Sequence, residues 1–182
     1  MTRGSQHIRV KNIHRDLLSM SSLVEKQIYE SMICLKKYDL EKADIIIDND
    51  DEVDNMQKEI EEECIKFIAT EQPLAKDLRR VFAASKIVTD LERMADHAID
   101  ICKITKKMGK NLSAFNGDIN ELWDMEQKVR EMIKASVEAY TNNDVKAAYK
   151  ICAEDDKVDA FYKNLFNKII KKIKVHEELV ND

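Results

Sequence analysis

The chain has 182 residues, 36% of them charged and 44% hydrophobic, with three glycines, one proline and a formal net charge of −5. That length can bury a core in one domain or two small ones, and so little turn chemistry predicts an all-α protein of long amphipathic helices. The acidity argues against a nucleic-acid partner, no apolar run approaches the roughly 20 residues of a membrane span, and "MTRGSQHIRV" lacks the apolar core of a secretion signal.

Five helices are predicted. The first runs from Asn12 to Lys37, with Val24, Ile28, Met32 and Leu35 as its apolar stripe. Asp39 caps the second, which runs from Leu40 to Thr70 with Val53, Met56, Ile60, Cys64 and Phe67 inward. Pro73 disfavours a helical residue before it and suits the first turn of a helix, so the third helix starts there and runs to Met108, with Gly109 as its cap. The loop "GKNLSAFNGD" separates two units. Asp118 caps the fourth helix, which ends near Tyr140, and Asn142, Asn143 or Asp144 caps the fifth, which runs to the C-terminal end.

An internal repeat is visible at an offset of 105 residues. Asp39 meets Asp144, Ala43 meets Ala148, Asp50 meets Asp155, and Val53–Asp54 meets Val158–Asp159. Met20, Val24 and Ser31 likewise meet Met125, Val129 and Ser136. The expected units are 1–109 and 118–182. Carrying Glu92 and Asp96 forward by the same offset passes position 182, so the second repeat is expected to lack its third helix.

The residues of greatest interest lie in "TDLERMADHAID", 89–100. On a wheel of 100° per residue, Ala84, Val88, Leu91, Ala95, Ala98, Ile99 and Cys102 form the apolar stripe. Glu92 and Asp96 sit just past one edge of it, with Asp100 further out. The second helix has Asp50, Asp54 and Glu61 along an edge, with Gln57 among them, and the fifth has Asp155 and Asp159. Like charges one turn apart destabilise a helix by a few tenths of a kcal/mol per pair, and a cation between two such rows reverses the sign. The recurring pairs Asp50/Asp54, Glu92/Asp96 and Asp155/Asp159 are therefore candidate metal ligands, against the plainer reading of solvated helix faces.

Other candidates are weaker. Cys34, Cys64, Cys102 and Cys152 are far apart in apolar surroundings, which predicts buried, reduced thiols. His7, His14, His97 and His176 are expected in solvent, and the lack of any Glu-x-x-His disfavours a ferritin-like iron centre. Trp123 and the tyrosines, at helical spacing, are expected in the core. Asp77, Arg79 and Arg80 form either a local ion pair or a docking surface for a partner. With no nucleophile–base–acid set and no Gly-rich phosphate loop, catalysis is not expected. Exposed apolar faces on the fourth and fifth helices predict homodimers or higher assemblies.

The stretch "CIKFIATEQPLAKDLRRVFAASKIVTDLERMADHAIDI", preceded by "DDEVDNM" and echoed by "EDDKVD", resembles the PhoU family of regulators of bacterial phosphate uptake. Cys64, Pro73, Asp77, Leu78, Arg79, Glu92, Arg93, Asp96 and Ile101 carry the likeness. The resemblance implies two three-helix units in pseudo-twofold relation. It implies surface clusters of iron, zinc or manganese held by (Asp/Glu)-x-x-x-Asp motifs, here Asp50, Asp54, Glu92, Asp96, Asp155 and Asp159. It also implies a non-enzymatic role in the cytoplasm, at the inner face of the membrane through contacts with a sensor histidine kinase and the phosphate ABC transporter. Gln57 stands where the family usually has Glu, removing one charged ligand. A metal-free helical scaffold, or the PhoU-like domain of a sodium–phosphate cotransporter, is the alternative.

Overall fold

The computed structural model describes residues 3–108 and 120–175, and the residues described there are all-α. Among the described residues six helices follow one another: α1 (Arg3–Lys37), α2 (Leu40–Asp48), α3 (Asp51–Glu71), α4 (Ala75–Met108), α5 (Asn120–Asn142) and α6 (Val145–Val175). The expected caps Gly109 and Asp118, and His176, lie outside the described residues.

The first helix begins at Arg3, nine residues before the predicted start. The predicted second helix exists in two pieces, α2 and α3. Its break falls in Asp48–Asn49–Asp50–Asp51, four residues whose short polar side chains compete with helical hydrogen bonds. Asn49 uses its side-chain amide on the Ile45 carbonyl at 2.9 Å, and the backbone tightens through Asp50 N–H to Ile47 O at 3.4 Å. The repeat counterpart of Asp48–Asn49 is Ala153–Glu154, two good helix formers, and α6 runs through it unbroken.

The offset of 105 residues is visible in the turns. Tyr38 and Asn143 both take a left-handed conformation at φ 55°. Asp39 N–H donates to Cys34 O at 3.0 Å, and Asp144 N–H donates to Ala139 O at 2.8 Å. The Asp39 side chain accepts from Lys42 N–H at 3.0 Å and that of Asp144 from Ala147 N–H at 2.9 Å. Each aspartate thus caps the helix after its turn.

The core forms where α1, α3 and α4 meet, and α5 packs on α1. Leu17, Met20, Val24 and Ile28 meet Val53, Ile60, Cys64 and Phe67, together with Val81, Ala84, Val88, Leu91 and Ala95, and Ile133 and Val137 close one side. A smaller cluster joins Cys34, Ala43, Ile46, Ile99 and Cys102, where α4 covers the α1–α2 turn. The counterparts of Cys34, Ala43 and Ile46 are Ala139, Ala148 and Ile151, which line an open groove of about 580 Å³ instead. α6 packs mainly on α5, leaving Val145, Tyr149, Tyr162 and Phe166 exposed.

Three expectations about burial change. Cys152 is exposed, because α6 turns that face toward the open groove, while Cys34, Cys64 and Cys102 are buried and free. Tyr29, Tyr149 and Tyr162 are exposed, whereas Tyr140 is largely covered and Trp123 packs beside Leu165. His14 is half-buried, edge-on to Tyr140 at 5.2 Å, because α5 crosses α1 there, and its Nε2 has no partner.

Replacing Asp39 or Asp144 with Ala should each cost about 1 kcal/mol in chemical denaturation, the usual loss for an N-cap. Burial first, then the charge of Arg80, lowers the His14 pKa below its ordinary 6.5. The unfolded chain therefore takes up the proton first as pH falls. Stability present above pH 6.5 should be lost as pH falls through 6.5 and the lower folded value. Melting curves of His14→Gln should lack that decline.

Candidate metal centre

Asp50 is the last residue of the break between α2 and α3, at the N-cap position of α3. Its backbone stays right-handed helical and its side chain makes no capping bond. The carboxylate is therefore free to face α4. Asp54 follows one turn later, also half-buried.

α3 and α4 run antiparallel, and Glu61 and Thr89 fix their register. The Thr89 hydroxyl shares its single proton between the Ser85 carbonyl at 3.1 Å and Glu61 Oε1 at 3.4 Å. Continuing that register sets Asp54 level with Asp96, with Asp50 one turn from it on α3 and Glu92 one turn from it on α4.

The electrostatics record the approach. Burial first, then the charges of Asp54 and Asp96, raises the Asp50 pKa above the usual carboxylate value, with Lys103 opposing. Burial, then Asp96 and Asp54, raises Glu92, with Arg93 opposing and Asp50 adding a smaller push. Each helix thus feels the other's acids. Asp100 stands apart, paired with Lys103 at 3.7 Å. Lys103 escaped the sequence reading, although it lies on the edge of α4 that carries Glu92 and Asp96.

These four side chains do not form a closed ligand shell as they stand. Among the described residues, no group of three or more His, Cys, Asp or Glu is placed to hold one ion. The two observations are compatible, since charge acts over longer distances than coordination and unscreened carboxylates repel. The donor chemistry fits a hard cation, because all four side chains offer oxygen and no sulfur or imidazole stands among them.

Asp155 and Asp159 are not brought to this cluster. Both are exposed on α6. Asp159 pairs with Lys163 at 3.6 Å, and Asp155 lines a groove with Asp90, Met94 and Val158.

Asp77, Arg79 and Arg80 divide. Arg80 reaches Asp77 at 3.8 Å, the i,i+3 pair allowed for by the sequence, and its Nε donates to Asn143 Oδ1 at 3.1 Å. Its carbonyl accepts the Tyr140 hydroxyl at 2.8 Å. Arg80 therefore ties α4 to the α5–α6 turn. Arg79 is exposed and borders the open groove with Lys76.

The PhoU domain family matches residues 17–105 and 122–182 of the chain. The phosphate-specific transport system accessory protein PhoU homolog of Clostridium acetobutylicum is 43% identical over 182 residues, covering all of this chain and 82% of that protein. The homolog of Aquifex aeolicus is 34% identical, over 82% of this chain and 66% of its own length. The crystal structure of PhoU from Pseudomonas aeruginosa superposes with a TM-score of 0.83 at 26% identity, over 96% of this chain and 83% of that one. The phosphate transport system regulatory protein PhoU from Streptococcus pneumoniae gives 0.85 at 26% identity, over 94% and 80%.

With no metal present, Asp50→Asn should stabilise the protein at neutral pH by about 0.5 kcal/mol, because it removes one like charge from the row. Paired melts of parent and variant in a chelating buffer check this, and a destabilised variant would show that the rows do not repel.

Proposed function

The chain belongs to the PhoU domain family, and from that premise we propose that it is a metal-binding regulatory accessory component of phosphate uptake. Its place is at the inner face of the membrane, where it restrains phosphate-starvation signalling through contacts with a sensor kinase and the phosphate ABC transporter. The relatives' names, which refer to the phosphate-specific transport system, support the transporter side. No described helix is long and apolar enough to cross a membrane, which suits attachment through protein contacts. The role is regulatory rather than catalytic, in keeping with relatives named as accessory proteins.

The metal half of this reading rests on one observation: burial first, then neighbouring carboxylates that include ones on the opposite helix, push up both Asp50 and Glu92. Asp50, Asp54, Glu92 and Asp96 would hold an iron, manganese or zinc ion, which supplies the positive charge that lets the two acidic edges sit side by side. Asp155 and Asp159 are the second repeat's counterpart. The matched turns support a first repeat over 1–109 and a second over 118–182. Homo-oligomers belong to the same reading, supported by the exposed apolar face of α6.

The double change Glu92→Ala and Asp96→Ala should strip the metal and leave helix content as in the parent, because Asp96 is exposed and Glu92 only half-buried. Elemental analysis after reconstitution, with circular dichroism alongside, reads both. Unchanged metal in the variant, or none in the reconstituted parent, would leave the acidic rows as solvated faces on a metal-free scaffold.

A further inference from the structure

The edge where α3 and α4 meet carries more than acids. On the 100° wheel, Ile65 and Ile68 fall on the edge of α3 that bears Asp50 and Asp54. Leu78 and Phe82 fall on the edge of α4 that bears Glu92 and Asp96. The antiparallel register fixed by Glu61 and Thr89 sets Ile68 level with Phe82, and Asp54 level with Asp96. All four apolar side chains are exposed, Ile65 at 67% and Phe82 at 59%. Lys86 lies over the Phe82 ring at 5.4 Å. A single exposed Ile or Phe needs no explanation, but four along one edge form a patch.

The seam between the helices is thus divided. Its half near the α3–α4 connection is apolar. The Glu61–Thr89 contact lies in the middle. The other half presents Asp50, Asp54, Glu92 and Asp96 against the cations Lys103 and Arg93. The two levels are 14 residues apart on either helix, roughly 21 Å at 1.5 Å per residue.

We propose that this seam docks an amphipathic helix of a partner protein, carrying apolar anchors at one end and Lys or Arg side chains about four turns further on. The apolar half supplies the exposed anchoring contacts, where most binding energy is gathered, and the acidic half sets direction and selects basic partners. The docking goes beyond the metal reading and does not require it. A metal ion and the basic end draw on the same four carboxylates, so metal loading weakens the basic half of the contact.

The probe is a fluorescent synthetic helix of about 20 residues, or about 30 Å. It carries two leucines one turn apart at one end, three Lys/Arg at the spacing above, and polar residues elsewhere. It is titrated by anisotropy into the full chain after chelation, so that a failure here is separate from a failure of metal binding. Saturable binding is expected, with Phe82→Ser or Ile68→Ser each weakening it at least about tenfold. Asp54→Asn with Asp96→Asn should weaken it at low salt and flatten its salt dependence. A peptide with Glu in place of Lys/Arg should not bind. These side chains lie outside the core, and circular dichroism verifies that the variants fold. The proposal is overturned by absence of saturable binding, or by binding that none of the substitutions changes. Self-association that Phe82→Ser abolishes also overturns it, since the occupant would then be a second copy of the chain.

Discussion

Burial of the apolar stripe of α4 is the constraint on which the rest depends. α4 presents Ala84, Ala95 and Ala98 among Val81, Val88 and Leu91 to α1 and α3, and all six are almost fully buried. Small side chains let helix backbones approach closely. Close approach leaves no room for the residues flanking the stripe to avoid their neighbours across the seam, so the edges of α3 and α4 are forced into register. The carboxylates lie on those edges. Their mutual repulsion follows from a core that contains none of them.

The break after α2 contributes a second part. An uninterrupted helix would place Asp50 inside a regular turn. Instead, the Asp48–Asn49 step tightens the backbone and starts α3 at Asp51, with Asp50 free of any capping duty. The second repeat tests the idea internally. Its Ala153–Glu154 step leaves α6 unbroken, and its Asp155 and Asp159 remain exposed, the latter paired with Lys163. The same residue pair one repeat apart has different surroundings: Asp50 and Asp54 feel the carboxylates of Glu92 and Asp96, whereas Asp155 borders a groove with Asp90 and Met94 further back along α4.

Much of the fold was legible in the chain. The stripe residues of the third predicted helix are those found buried, because a 3.6-residue period leaves few ways to hide seven apolar side chains. Asp39 and Asp144 were legible as caps because Asp bonds the first free N–H groups of a helix, and Pro73 marked the end of α3. The acidic rows Asp50/Asp54 and Glu92/Asp96 were legible from spacing, whereas nothing in the sequence separates Lys103, whose charge opposes them, from the other lysines. The break at Asn49 was missed because the apolar period of the predicted helix carries on across it. His14 and Cys152 went the wrong way for a shared reason: their exposure is set by α5 and α6, distant in sequence.

The sequence by itself determined the class of fold, the repeat, the turns and which faces are apolar or acidic, since each follows from local periodicity and local hydrogen bonding. Only the tertiary structure decided which faces meet. It set Glu61 against Thr89, turned two acidic rows toward each other, drew Arg80 to the α5–α6 turn and left the face of α6 open. Those outcomes depend on how helices pack, and packing is fixed by long-range burial that no single stretch of the chain encodes.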